Sequence, residues 1–359
     1  VTNIADRKSR QMIHRARKMN PEAIVVAAGC YGQARQEDIL RDAGVDLAVG
    51  NNKKKDLPSI LEEFIARKER GAAGTENGKT LDGTTVIDIS RTKEFERMRL
   101  RETAGHTRVY VKIQDGCNQF CSYCIIPYTR GRVRSREQED ILEEIQGMAE
   151  RGYQEAVLTG IHISSYGMDR GEPGLPGLIE AIHRIDGIHR IRLGSLEPRI
   201  ITEEFVDRLA GLEKLCPHFH LSLQSGCDDT LKRMNRHYTT GQYYEKVSLL
   251  RDNFSHPAIT TDVIVGFPGE TEEEFETTRA FLERIKFYEM HVFKYSPRKG
   301  TRAAVMGNQV PEEVKGQRSS RLLELERRVS REYREYYIGE EAEVLFEEEK
   351  IIDGTVFQV

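Results

Sequence analysis

No run of eighteen apolar residues occurs anywhere in the 359-residue chain, so no membrane-spanning helix is expected. The opening stretch, VTNIADRKSRQMIHRARKMN, is polar and charged from the start and lacks the apolar core of a secretory signal, so secretion is not expected either. A reducing cytoplasm is the resulting expectation, and there clustered cysteines more often hold metals or act as catalytic thiols than form disulfides. A global basic field is also missing: 54 Lys and Arg stand against 58 Asp and Glu, a formal net charge of -4. A nucleic-acid partner would therefore have to be held by a local patch.

What is present is a rhythm. Residues 1–70 alternate helix-like and strand-like pieces. They comprise an amphipathic segment at Ser9–Met19, the apolar run AIVVAAGC at 23–30, a helical stretch near Glu37–Ala43 and the short strand candidate VDLAVG. Together these predict a small α/β domain with Cys30 where its strand ends. Across 71–105 the composition shifts to GAAGTENGKTLDGTT and then to the charged EFERMRLRE, a linker pattern.

From 106 to 300 six strand candidates, VYVKI, EAVLTG, RIRLGS, HFHLSLQ, ITTDVIVG and EMHVFKY, alternate with helix-like segments. Such βα units in succession predict an α/β fold: a parallel sheet with outer helices, either open or an incomplete barrel. Folds of this kind bind ligands where the carboxyl ends of the strands meet. Residues 301–337 read as a helical extension, and EAEVLFEEE with GTVFQV, within 338–359, as the start of a small β module.

Three of the six cysteines, Cys117, Cys121 and Cys124, crowd into DGCNQFCSYCIIPYTRG just after the first strand of that series. Three ligands are one short of a tetrahedral zinc site and one short of the four thiolates usual for an iron–sulfur cube. Spacing alone leaves two readings open: a cube with one iron free for a reactant, or a zinc loop completed by a distant residue. The closest histidine upstream is His106. Beyond the cysteines, Arg130, Arg132, Arg134 and Arg136 alternate along YTRGRVRSRE with Tyr128 beside them. In an extended segment they would share one face and could grip RNA phosphates; a solvated charged face is the plainer alternative. Lys232, Arg233 and Arg236 form a second basic group, while Cys216 and Cys227 read as ordinary core thiols and are assigned to no metal.

The C-x3-C-x2-C spacing, with Tyr123 directly before the third cysteine and a strand before the first, resembles the signature of radical S-adenosylmethionine (SAM) enzymes. Longer blocks narrow the likeness: DGCNQFCSYCIIPYTRGRVRSRE, LTGIHISSYG, and FHLSLQSGCDDTLKRMNRHYT with ITTDVIVGFPGETEEEF. They make the chain similar, over nearly its whole length, to the radical SAM methylthiotransferases, and most to the branch that acts on threonylcarbamoyladenosine in tRNA. The resemblance implies a partial (β/α)6 radical SAM barrel, a flavodoxin-like N-terminal α/β domain and the start of a C-terminal RNA-binding β module. It implies a [4Fe-4S] cluster on Cys117, Cys121 and Cys124 whose open iron takes SAM and whose electron cleaves it to a 5'-deoxyadenosyl radical. A methylthio group would then be attached to C2 of the modified adenosine next to the anticodon.

The same resemblance places Tyr123, Thr159, Gly160, Ser195, Glu197, Gln224, Asp262, Gly266 and Phe293 around SAM. Thr159 and Gly160 would receive its methionine amino group, Ser195 and Glu197 its ribose and methionine, and Phe293 its adenine. A second [4Fe-4S] cluster in the family takes three N-terminal cysteines, of which only Cys30 has a counterpart in this sequence. The N-terminal domain is therefore expected to be truncated and to hold that cluster poorly. The implied partners are tRNA and an electron donor such as flavodoxin or ferredoxin, acting on a cytoplasmic monomer. Rival substrates within the family are isopentenyladenosine in tRNA and an aspartate of a ribosomal protein, with GIHISSYG and RGRVRSR favouring the threonylcarbamoyl group. The rival from another class is a non-catalytic RNA-binding protein with a structural zinc.

Overall fold

The computed structural model describes residues 3–35, 38–39, 44–69, 84–99, 107–171, 174–352 and 355–358. Its chain divides into two compact units. The first comprises Val1–Met98, Asp115–Arg134 and Ser296–Ala304; the second comprises Arg99–Gln114, Ser135–Tyr295 and Val305–Val359.

In the first unit the apolar run predicted as a strand forms β1 (Val26–Ala28), which pairs in parallel with β2 (Leu47–Val49). Helices Asn3–Met19, Cys30–Ala34 and Leu57–Glu69 accompany this sheet, and Ala27, Ile39, Val45 and Ala48 make its small core. A third strand, β3 (Thr84–Thr85), pairs with β2. It lies in the segment whose composition marks it as linker. Two threonines carry no readable period, so the pairing is invisible to pattern. Farther along that segment Glu96 is buried and accepts the backbone N–H groups of Asn52 at 3.2 Å and Lys55 at 3.1 Å, with the Lys54 ammonium 2.8 Å away. The rest of the linker, 70–83 and 100–106, lies outside the described residues, as does most of the helical stretch expected near Glu37–Ala43.

The six expected strands of the βα series are all found: β4 (Arg108–Asp115), β6 (Glu155–Gly160), β7 (Arg190–Leu193), β8 (His218–His220), β9 (Ala258–Val265) and β10 (Glu289–Lys294), with a two-residue β5 (Arg134–Ser135) beside β4. The six pair in parallel as two sheets, β4–β6–β7 and β8–β9–β10. Isolated bridges Ile191↔Leu215 and Leu196↔Leu221 carry the pairing from the β7 side to the β8 side. The period-two pattern explains β4: Val109, Val111 and Ile113 are fully buried while Tyr110 faces water.

Helices fill the connections, among them Gln138–Ala149, Gly174–His183, Glu203–Leu209, Thr240–Asn253 and Glu272–Ile285. Thr239 with Gln242 and Thr271 with Glu274 form capping boxes that satisfy the first free N–H groups of their helices. Three glutamates in the first turn of Glu272–Ile285 also complement its dipole. The helical extension is the single helix Glu312–Glu335, which buries Leu322, Leu325 and Val329. The final module is an antiparallel hairpin of β11 (Glu349–Ile352) and β12 (Thr355–Gln358). Its first strand starts later than EAEVLFEEE suggests: the apolar Val344 and Phe346 lie there, but both side chains are exposed, and the pairing with β12 begins only at Glu349.

At the start of β6, Glu155 is buried among three arginines, with Arg190 Nε at 2.8 Å, Arg192 Nε at 3.1 Å and Arg108 Nε at 3.4 Å. Glu155→Gln would leave these guanidinium groups without their shared counter-charge, and a loss of about 3 kcal/mol is expected in urea denaturation. An unchanged midpoint would show that water already compensates them.

Candidate metal centre and strand-end site

In the first unit the chain leaves β4 through a loop closed by two glycines. Gly116 adopts φ +75°, and a Cβ there would fall 1.8 Å from the Arg132 carbonyl oxygen. Gly131 adopts φ +74°, where a Cβ would lie 2.3 Å from the Ile89 carbonyl oxygen. No other residue allows both the left-handed backbone and this approach. The closure is completed by the Cys117 N–H, which donates to the Gly131 carbonyl at 3.0 Å. Between the glycines sit the three thiols. Cys117 and Cys121 are buried, Cys124 is half-buried, and none is in a disulfide. Burial pushes the Cys124 thiol up to about 11, and negative charge on Cys121 and Cys117 adds to the shift, so the three sulfurs act on one another. The Gln119 N–H points at Cys117 Sγ from 3.4 Å.

Phe120, at φ +49°, presents its ring to the Arg132 guanidinium at 4.6 Å and edge-to-face to Tyr128 at 5.6 Å. Arg132 and Tyr128 are both exposed.

Cys30 opens the helix Cys30–Ala34, and its Sγ accepts from Arg130 Nε at 2.9 Å and Asn51 Nδ2 at 3.5 Å. Arg130 also reaches Asp115 at 3.4 Å. Asn51 is fully buried and donates to the Thr129 carbonyl at 2.7 Å, while its Oδ1 has no hydrogen-bond partner among the described residues. The alternating arginines do not share one solvent face. Arg134 is buried with Asp115 3.8 Å away, and Arg136 is buried against Asp140 at 2.6 Å and against Glu144. The strand there is only two residues long, and buried carboxylates draw two of the four arginines inward. Arg132 alone of the four is exposed.

In the second unit the strand ends carry the other expected residues. Thr159 Oγ1 donates to the Val111 carbonyl at 3.2 Å. At Gly160 a Cβ would lie 2.8 Å from Ile163 and 3.0 Å from the Gln114 carbonyl oxygen. The turn after it is held by Gln114 Oε1, which accepts from the N–H groups of Ile161 at 3.1 Å and His162 at 2.8 Å. Ser195 and Ser222 share a hydroxyl contact of 2.7 Å. Glu197 is buried, its N–H donates to Ser164 Oγ at 2.9 Å, and its carboxylate accepts from Arg199 at 2.8 Å. Gln224 takes a left-handed φ of +74° between backbone bonds to Asp262 and Ile264.

Gly266, at φ +70°, is packed under the Lys315 side chain and donates its N–H to Glu270 at 3.0 Å, which explains it as a packing glycine. Asp262 stands in the middle of β9, with His220 and His291 on either side at 3.3 and 3.2 Å. Burial raises the Asp262 carboxyl, but the two histidines outweigh it and hold the group below its ordinary range. Phe293 is exposed, its ring 6.5 Å from that of His291.

Comparison with known proteins agrees with this architecture. Residues 111–282 match the Radical SAM superfamily. The chain is 39% identical, over 97% of its own length and 75% of the relative's, to the threonylcarbamoyladenosine tRNA methylthiotransferase MtaB of Bacillus subtilis (strain 168). It is 41% identical to the protein of that name from Aquifex aeolicus (strain VF5), over 97% of this chain and 82% of the relative. The chain belongs to the radical SAM methylthiotransferases. A further member, the tRNA-2-methylthio-N(6)-dimethylallyladenosine synthase of Moorella thermoacetica, is 38% identical over 93% of this chain and 73% of its own. Among solved structures the radical SAM methyltransferase TsrM from Kitasatospora setae aligns with a TM-score of 0.61 at 18% identity, covering 80% of this chain and 58% of that one. That likeness shows the α/β radical SAM fold.

Membership in this methylthiotransferase family makes the protein an enzyme and brings a [4Fe-4S] cluster and SAM as its cofactors. The loop fits the cluster: three soft thiols, free of disulfides, are gathered between two glycines that leave no room for a Cβ. Reading the methylthiotransferase sequence alone missed Asn51, Gln114, Phe120, His220 and His291. A buried amide such as Gln114 has no local period. The two histidines, by contrast, carried a signal, since each lies within a strand next to an apolar partner position.

Proposed function

We propose that this methylthiotransferase attaches a methylthio group to C2 of N6-threonylcarbamoyladenosine next to the anticodon of tRNA. The observation that carries the chemistry is the glycine-closed loop holding Cys117, Cys121 and Cys124 directly after the first of six parallel strands. The substrate follows from the names of the Bacillus and Aquifex relatives. When bound, the cluster supplies the electron that cleaves SAM into methionine and a 5'-deoxyadenosyl radical.

The chain's own residues bind and orient. Gly160, whose missing Cβ makes room for Ile163 and Gln114, ends β6 with Thr159 beside it, where the family resemblance puts the methionine end of SAM. Ser195 and Glu197 take the ribose and methionine groups, Gln224 beyond β8 and Asp262 in the middle of β9 are further SAM-facing positions, Tyr123 directly precedes the third thiol, and the exposed Phe293 ring offers a stacking face for adenine. We further propose Cys30 as one ligand of a second [4Fe-4S] cluster, with Arg130 balancing the thiolate charge and the unpaired Asn51 oxygen beside it. Cys216 and Cys227 lie buried in the second unit, so Cys30 is a single thiol and no reaction step is assigned to that cluster. A flavodoxin or ferredoxin in the cytoplasm is the matching reductant. Among the described residues no helix is long and apolar enough to cross a membrane.

For tRNA, the exposed Arg132 stacked on Phe120 beside Tyr128 combines a phosphate ligand with aromatic surface. Arg132→Ala is expected to weaken tRNA binding and to lower the slope of log affinity against log salt by about 1. Fluorescence anisotropy across a salt series measures both, and an unchanged slope removes Arg132 from the interface.

The deciding experiment for the substrate is nucleoside mass spectrometry of tRNA from cells lacking the protein. Loss of only the methylthio form of threonylcarbamoyladenosine is expected. Loss of the methylthio form of isopentenyladenosine instead would establish the second reading, which the name of the Moorella relative favours.

A further inference from the structure

We propose that His220, Asp262 and His291 form a second metal site, which takes one first-row divalent cation such as zinc and shares no ligand with the iron–sulfur cluster. All three stand in the second unit on neighbouring strands β8, β9 and β10. Parallel register puts Asp262 directly beside His291 and puts His220 beside Thr260, two residues before Asp262 and therefore on its face. The donor atoms of the three side chains all lie within 4.8 Å of one another, a gathering of three His, Cys, Asp or Glu donors that stands out among the described residues.

The distances favour a metal over a plain ion pair. Asp262 Oδ2 is 3.3 Å from His220 Nε2, and Asp262 Oδ1 is 3.2 Å from His291 Nδ1. A charge-assisted N–H···O bond contracts to about 2.7–2.9 Å. Donors held about 2.0–2.2 Å from a tetrahedral ion, by contrast, are about 3.3–3.6 Å apart. Both separations are near that edge length but end on different carboxylate oxygens, so the carboxylate turns one oxygen toward both imidazoles when an ion enters. The third edge, between the two imidazoles, must also close. His291 is 57% exposed, so its ring has room to turn toward the ion. The two rings already lie 28° from parallel with centroids 5.7 Å apart.

The surroundings supply what a ligating histidine needs. His220 Nδ1 is 3.0 Å from Thr260 Oγ1, which fixes the ring and leaves Nε2 for the metal. Two imidazoles and one carboxylate are a donor set suited to zinc or ferrous iron, and they leave coordination positions open for water or an oxygen ligand. The exposed His291 side provides the route of entry. This inference stands on these three residues and is independent of the proposed tRNA substrate.

The test is anaerobic equilibrium dialysis of the cluster-loaded protein against zinc, with zinc counted by mass spectrometry. The wild type is expected to hold one equivalent that Asp262→Asn and His291→Ala each weaken at least about 100-fold. His291 is exposed, so its substitution leaves the core intact and keeps the result interpretable if Asp262→Asn misfolds. X-ray absorption at the zinc edge should show two nitrogen donors and no sulfur. Zinc retained unchanged in both variants, or a sulfur-coordinated ion, overturns the site and leaves the three side chains a hydrogen-bonded network. Cluster content, measured on the same samples, reports on Cys117, Cys121 and Cys124 and so separates this outcome from that of the proposed function; 5'-deoxyadenosine formation is compared on His291→Ala alone, because Asp262 is itself proposed to face SAM.

Discussion

Replacing Cys124 by alanine is expected to give a colourless protein that forms no 5'-deoxyadenosine from SAM. Two thiols remain in the loop, and a cube anchored at two corners has lost the ligation that keeps it in place. The half-buried Cys124 thiol is also the one on which Cys121 and Cys117 act electrostatically. Iron per chain, the broad visible absorption of the reconstituted protein and chromatography of the SAM products measure the effect. Cys216→Ala and Cys227→Ala serve as controls, because those thiols are buried in the second unit and are expected to cost only packing. A Cys124→Ala protein that keeps its iron and still cleaves SAM would dismiss the three-thiol ligand set. A colourless wild type carrying one zinc in the loop would revive the binding-protein reading.

Gly116→Ala should be nearly as damaging without touching a ligand. The added Cβ would sit 1.8 Å from the Arg132 carbonyl oxygen and 2.5 Å from its carbon, and 2.8 Å from the Gly131 oxygen. These are backbone atoms, which cannot rotate away as a side chain would. The left-handed φ of +75° adds its own strain. A loss of at least about 3 kcal/mol is expected, together with opening of the cysteine loop and loss of iron. Gly152→Ala isolates the dihedral part, since Gly152 has φ +89° with nothing within 4 Å of the added Cβ. It should cost only about 1 kcal/mol. Equal urea midpoints for the two variants would mean that the close approach at Gly116 is absent in solution.

Legibility in the sequence followed the range of the interactions. Five of the six strands of the βα series match within a residue or two, and HFHLSLQ runs four residues past the end of β8; burial on one or both faces stamps a period or an apolar run on the residues themselves, as at Val109, Val111 and Ile113. The cysteine loop was legible for a related reason: its ligands are close in sequence, so their spacing is the site. The alternating arginines misled because alternation speaks of an extended backbone and not of what lies opposite. Asp140 and Glu144 claim Arg136, and Asp115 stands beside the buried Arg134.

The amino-acid order by itself determined the parallel α/β architecture, the position of the three-thiol loop after its first strand and the family to which the enzyme belongs. Tertiary structure alone decided that Arg130 serves Cys30, one hundred residues away, that Asn51 braces the loop from seventy-eight residues away, and that Asp262 falls between two histidines. Those pairings depend on strand register and chain crossing, which no local period encodes, so they exist only once distant segments have packed.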